Sequence, residues 1–191
     1  MNTVEIEPKL RKLKIKDADV FLEDYETGKG KVTISSFNYG AFTFYWGSMG
    51  SDLKDFLLRI NGDYFAGKLS SNSYVFDAKG STKNVRKHIR EELSYELPRY
   101  KFMSAQKEMR EAIKKLEYVS SNNEFVARMI DLPDNLMCYD LDYKEEREFK
   151  DIIEGVFKSE PWHFIAEKQS NEYNWLVGFH KYLQRALKAS E

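Results

Sequence analysis

The apolar positions of the chain change period once, near residue 80. Before that point apolar and polar residues mostly alternate. Leu13 and Ile15 alternate with lysines, Lys16-Asp17-Ala18-Asp19 interrupts the run, and Val20-Phe21-Leu22 resumes it. Glu26-Thr27-Gly28-Lys29-Gly30 reads as a turn, because glycine reaches φ > 0 without steric cost. Val32 and Ile34 flank the β-branched Thr33, Asn38-Tyr39-Gly40 reads as a hairpin loop, and Phe42, Phe44 and Trp46 share one face of a further strand. Four strands with short connections predict an antiparallel meander. Gly47-Ser48-Met49-Gly50 then breaks the pattern. Ser51 is placed to cap a helix whose stripe, Leu53, Phe56, Leu57 and Ile60, suits the aromatic side of the sheet. Asn61-Gly62 ends that helix, and Tyr74-Val75-Phe76 is one short strand in a polar stretch.

From Ser81 the spacing is helical. Val85, Ile89, Leu93 and Leu97 recur at intervals of four, with Pro98 as the stop; Phe102, Met109, Ile113 and Leu116 mark a second helix. Ser121 with Glu124, and Asp142 with Glu145, have capping-box spacing and open two more. Pro133 bounds the first of these and Pro161 the second. The last helix runs from about Asn171 to Leu187 and is apolar around much of its girth, which makes it a central or an interface element and leaves a homodimer open. The pattern therefore predicts an α+β protein: an N-terminal antiparallel β-meander covered by a helix over residues 1–80, then a helical C-terminal half over 81–191, as two domains or one continuous one.

Composition narrows the class. The 13 Phe, 12 Tyr and 3 Trp among 191 residues supply a core and exclude a disordered chain, and 10 Gly with 4 Pro exclude fibrous or linker sequence. One cysteine, Cys138, forms no intramolecular disulfide, no apolar run approaches the roughly 20 residues of a membrane helix, and the N-terminus carries no signal-peptide pattern. A protein of the cytoplasm, with no membrane partner, is expected.

Catalytic and cofactor chemistry is poorly served. His88, His163 and His180 are far apart in sequence and no Cys-x-x-Cys or His-Glu-x-x-His occurs, so neither a metal nor another cofactor is expected. Cys138 with His163 or His180 is the one formal nucleophile–base set, with no neighbouring cation to lower the thiol pKa. Gly47-Ser48-Met49-Gly50-Ser51, between a strand and a helix, has the geometry that offers backbone N–H groups to an anion, or simply lets the chain turn. It lacks the Gly-Lys-Ser/Thr ending of a nucleotide loop.

Charge is more informative locally than globally. The net charge is −1, yet residues 82–118 carry ten bases against six glutamates, and residues 119–160 eleven acids against five bases. Two surfaces follow. The acidic one, Asp140, Asp142, Glu145, Glu146, Glu148, Asp151 and Glu154, suits a basic groove on a protein partner. The basic one, Lys83, Arg86, Lys87 and Arg90 on one helix, joined by Lys29 and Lys31 at a hairpin tip beside Tyr39, Phe42, Phe44, Tyr45 and Trp46, suits nucleic acid.

The string EDYETGKGKVTISSFNYGAFTFYWGSMG from Glu23, followed by Phe56 and DYFAGKL, resembles uncharacterised proteins encoded by phages and prophages of bacteria. The shared pattern is an acidic residue before Tyr25, the Gly-Lys-Gly-Lys turn, a strand and the Tyr-Trp-Gly-x-Met-Gly run, over about the first third of the chain. The resemblance implies a mobile-element origin. Small phage proteins without catalytic motifs are commonly accessory factors, including inhibitors of host nucleases and CRISPR–Cas complexes. The expectation is a non-catalytic, anti-defence protein that binds a host complex such as a nuclease or CRISPR–Cas effector. The alternatives are a direct nucleic-acid binder and a small cysteine–histidine enzyme.

Overall fold

The structure, a computed structural model, describes residues 8–97 and 101–189; Pro98 and Arg99, read above as a helix stop and as part of the basic stretch, lie outside the described residues. In chain order the elements are β1 (Lys9–Ile15), β2 (Ala18–Glu26), β3 (Lys29–Ser36), β4 (Gly40–Trp46), α1 (Leu53–Arg59), α2 (Gly62–Leu69), β5 (Tyr74–Phe76), α3 (Ala78–Glu92), α4 (Met103–Lys115), α5 (Asn122–Asn135), α6 (Tyr143–Ser159), β6 (Glu167–Gln169) and α7 (Asn171–Ala189). Short 3₁₀ turns occupy Leu116–Tyr118 and Pro161–Phe164. This is the α+β architecture predicted from the pattern. The chain forms two compact units: one runs to Tyr74 and resumes at Gln169, and the other is Val75–Lys168. The chain passes between them through β5 and β6, which pair as a two-stranded ribbon.

In the first unit β1 to β4 form an antiparallel meander in sequence order. The register sets Leu13, Val20, Ile34 and Phe42 in one row across the sheet and Arg11, Leu22, Val32 and Phe44 in the next. A slip of one residue would turn both rows to the opposite face, so the alternation of the sequence fixes the pairing. Gly28 closes the β2–β3 hairpin at φ +87°, and its N–H and carbonyl bond Ser51 and Met49. The aromatic row is covered by three helices rather than one. Residues 61–69 hold α2, where Asn61-Gly62 is a beginning and not an end: Asn61 accepts the Tyr64 N–H at 2.8 Å and caps the new helix. A Cβ on Gly62 would stand 3.0 Å from the Val177 carbonyl oxygen, so glycine is what lets α2 approach α7. The third cover is α7, whose apolar girth is used inside the unit. Tyr173, Leu176, Phe179, Leu183 and Leu187 are buried with Val20, Ile34, Leu57 and Phe65, while Trp175 stacks on Phe179 and contacts Tyr39 and Phe42.

Helix α1 spans only seven residues and is capped from outside at both ends. At its start Asp52, not Ser51, accepts the Asp55 N–H at 2.9 Å, and Asp24 of β2 accepts the Leu53 N–H at 3.0 Å. At its finish the Leu57 carbonyl accepts a hydrogen bond from His180 Nε2 at 3.0 Å, and the Gln184 amide reaches the Leu57, Leu58 and Ile60 carbonyls at 3.2, 3.0 and 3.3 Å.

The second unit is helical around a core that includes Val85, Met109, Ile113, Phe125, Met129, Phe149, Ile153 and Phe157. Of the two capping boxes read in the sequence one is closed, since the Glu124 carboxylate accepts the Ser120 N–H at 3.0 Å instead of that of Ser121. Ser121 accepts the Glu124 N–H at 3.2 Å, and Asp142 and Glu145 form a complete capping box. Pro133 does not bound α5: it sits buried in the last turn and the helix continues to Asn135. Its ring removes the N–H that would bond the Met129 carbonyl, and the helix ends two residues later.

His180 is buried against Phe65, with ring centroids 4.6 Å apart, and burial holds its pKa below the ordinary value. A folded-state pKa below the unfolded one means that the unfolded chain takes up the proton first. Stability is then complete above about pH 6.5 and declines as pH falls below it. In His180→Leu this acid-side decline should be smaller, at a neutral-pH cost of about 1 kcal/mol because Gln184 still serves the Leu57 carbonyl. Urea denaturation of both proteins across that pH range measures it.

Candidate binding site

The acidic stretch is largely satisfied within the chain. Asp142 and Glu145 are engaged in the α6 cap. Glu146 pairs with Lys150 at 2.7 Å, Glu154 with Lys158 at 3.1 Å and Asp151 with Arg147 at 4.0 Å, each one helical turn apart, and Glu148 bonds Lys101. Lys158 also holds Asp134 at 3.0 Å. Asp140 is exposed in the preceding turn. The negative balance of the sequence is thus spread over local pairs that support the helix by a few tenths of a kcal/mol each. It does not gather into a one-signed face.

The hairpin lysines are also paired, Lys29 with Glu26 and Lys31 with Glu23, the latter at 2.9 Å. Glu23 is held below the usual carboxylate range, first by its bond to Lys31. Beside them Phe42 and Trp46 are buried on the covered face, Phe44 is half-buried, and only Tyr39 and Tyr45 of the five aromatics reach solvent. That arrangement is a core face, not a stacking platform. In the Gly47–Ser51 loop the Met49 N–H goes to the Gly28 carbonyl at 2.9 Å, and at the start of α1 the carboxylates of Asp24 and Asp52 accept the Leu53 and Asp55 N–H groups. Two of the N–H groups that an anion would use at this helix start are thus taken by the protein's own acids.

Cys138 and the histidines do not assemble into an activated pair. The thiol is buried in the α5–α6 connection, and burial followed by the charge of Glu146 pushes its pKa up, away from the thiolate a nucleophile needs. His163 is exposed and pairs with Glu160 at 2.8 Å, His88 lies edge-on to Phe164, and His180 is the buried cap described above. Among the described residues no group of three or more His, Cys, Asp or Glu side chains is placed to hold a metal ion, and no helix is long and apolar enough to cross a membrane.

The basic stretch behaves differently. Helices α3 and α4 leave a cavity of about 950 Å³ between them. Its floor is aliphatic, with Ile89, Leu93 and Leu97 from the α3 side and Met103, Met109 and Ile113 from α4. Arg86 and Arg90 rise from α3 on one rim, and Lys107, Arg110 and Lys114 from α4 on the other, with Glu111 the one acid in the lining. Gln106, 4% exposed, braces the site: its amide donates to the Lys101 carbonyl at 2.8 Å and its oxygen accepts from Arg110 at 2.9 Å. Arg86 is tied to Glu117 at 2.7 Å. Arg90, Lys107 and Lys114 form no ion pair among the described residues.

Of the six cations read from the sequence as a nucleic-acid surface, the cavity brings together Arg86 and Arg90. Lys83 and Lys87 lie outside its lining, the latter facing Glu91 at 4.0 Å, and Lys29 and Lys31 belong to the other unit. Lys107, Arg110 and Lys114 entered the charge balance without being singled out. Their i, i+3, i+7 spacing was the signal that would have placed them on one stripe.

Because Arg90, Lys107 and Lys114 are exposed and form no ion pair among the described residues, reversing all three to glutamate should change unfolding free energy by no more than about 0.5 kcal/mol per site. Chemical denaturation of the triple variant against the parent checks this, and a larger loss would mean that the rim is structural.

Comparison with known proteins finds a match to a phage family (Phage_phiTE_072) over residues 3–189. No match is found among curated proteins and none among solved structures.

Proposed function

The chain belongs to this phage family, and from that premise we propose that it is a non-catalytic binding protein that modulates a defence or nucleic-acid-processing complex of the bacterial host, of anti-CRISPR or other anti-defence type. It acts in the host cytoplasm, stoichiometrically, by occupying a surface of its target. One observation carries the reading: Arg90, Lys107 and Lys114 of the α3–α4 cavity form no ion pair among the described residues, and the same cavity is lined by the exposed Met103 and the half-buried Ile89. Water satisfies the exposed cations, so a partner that supplies acids and apolar groups gains charge attraction at the rim and apolar burial at Met103. The acidic face of α6 supports the reading less well, since most of its carboxylates already have partners.

A second reading, direct binding of nucleic acid, is favoured by the same five rim cations. Phosphates would meet the rim, but among the described residues the lining of the cavity contains no aromatic side chain on which bases could stack.

A tagged pull-down from host lysate, with and without nuclease, separates the two. The expected result is a defined protein complex that survives nuclease and is lost with the Arg90→Glu, Lys107→Glu, Lys114→Glu protein. Titrating the purified chain into that complex should then change its activity with a one-to-one end point. Partners that vanish on nuclease treatment would transfer the reading to nucleic acid, and capture without any change in activity would reject modulation.

A further inference from the structure

Resting on that reading, we infer that the occupant of the α3–α4 cavity is an amphipathic helix of the partner, with an apolar ridge flanked by acidic residues. Three observations select it. The first is shape. The lining runs over residues 86–93 on the α3 side and 103–114 of α4, about 10 and about 16 Å at 1.5 Å per residue, the length of two to three turns of a third helix. At about 950 Å³ it stands at the upper end of the range for small-molecule pockets, which suits a row of side chains better than one compact metabolite. The second is the floor. Ile89 and Met103 are the parts of it that solvent still reaches, Met103 being 67% exposed, and they ask for leucine- or methionine-like side chains. Nucleic acid offers no more than a thymine methyl there. The third is charge. The cations lie on both sides of the apolar strip, Arg90 on α3 and Lys107 and Lys114 on α4, so a matching helix carries acids on both flanks of its ridge, as in helix-in-groove recognition. Complementary charge on each flank also sets the register and the rate of encounter.

The full chain is tested against a synthetic helical peptide of about 18 residues, long enough to cover the groove, with leucines at i, i+3, i+4 and i+7 and glutamates on either side. Two control probes accompany it: the same peptide with serine for each leucine, and a single-stranded oligonucleotide of equal charge. Fluorescence anisotropy at about 50 and about 200 mM salt reads the binding. The leucine peptide should bind, more weakly at the higher salt, and at least about tenfold more weakly to the Arg90→Glu, Lys107→Glu protein. Met103→Glu should weaken it comparably while leaving the circular dichroism unchanged, because that side chain is already in solvent. Equal binding of the serine peptide would reduce the site to charge alone and overturn the inference. So would tighter binding of the oligonucleotide, binding of no probe, or self-association of the chain that the rim variants abolish. A peptide that binds while no host complex is captured would leave the groove standing and remove the proposed function; a nuclease-resistant complex indifferent to the rim would do the reverse.

Discussion

A helix of seven residues has almost no hydrogen bonds of its own to stand on, because four N–H groups at one end and four carbonyls at the other lack internal partners. Helix α1 exists because two distant parts of the chain supply what it lacks. Asp24, on the strand beneath it, takes an amide at its start, and His180 and Gln184, on the last helix, take carbonyls at its end. The same three elements enclose the core of the first unit, where Val20, Leu57 and Leu183 are wholly buried. Polar satisfaction and apolar burial are therefore joined at one place. Loosening α7 would strip the cap from α1 and the cover from the sheet together, so the first unit holds as a whole or not at all.

Most of this architecture was legible in the residue pattern, and the misreadings have physical causes. The meander was legible because a period of two excludes every odd shift of register and the short turns between strands set the pairing that hides Val20, Ile34 and Phe42 together. Helix α2 was not, because Asn61-Gly62 serves as readily at the start of a helix as at the end. The deciding fact, the close approach of α7 at Gly62, involves a residue more than a hundred positions away. Pro133 misled for a related reason. Proline breaks a helix interior, but Pro133 stands two residues from the end of α5, where the bond it removes interrupts little of the remaining ladder. The role of α7 could be read only as far as its girth; whether that surface met its own sheet or a second copy depended on tertiary packing.

Charge was the least reliable guide to the site. Counting acids and bases along a segment treats each as available, whereas a helix brings residues four apart within reach of one another and lets them neutralise in place. That is the fate of most acids on α6. The basic segment escapes it because Arg90, Lys107 and Lys114 flank a gap in the packing of two helices rather than a row of glutamates. No sequence pattern announces a gap, since the residues that line it, Leu93, Met109 and Ile113, are the ordinary apolar positions of their helices.

The placement of α7 also orders the events of synthesis. Residues 75–168 form a unit with a core of its own, and all of them precede the helix that covers the meander. On the ribosome the four strands emerge first, yet their aromatic face has no full cover until α7 follows them out. The helical unit is completed in that interval. A ribosome that stalls between Lys168 and Ala189 would release a chain with one finished unit and one uncovered sheet, the kind of species that chaperones retain and proteases remove.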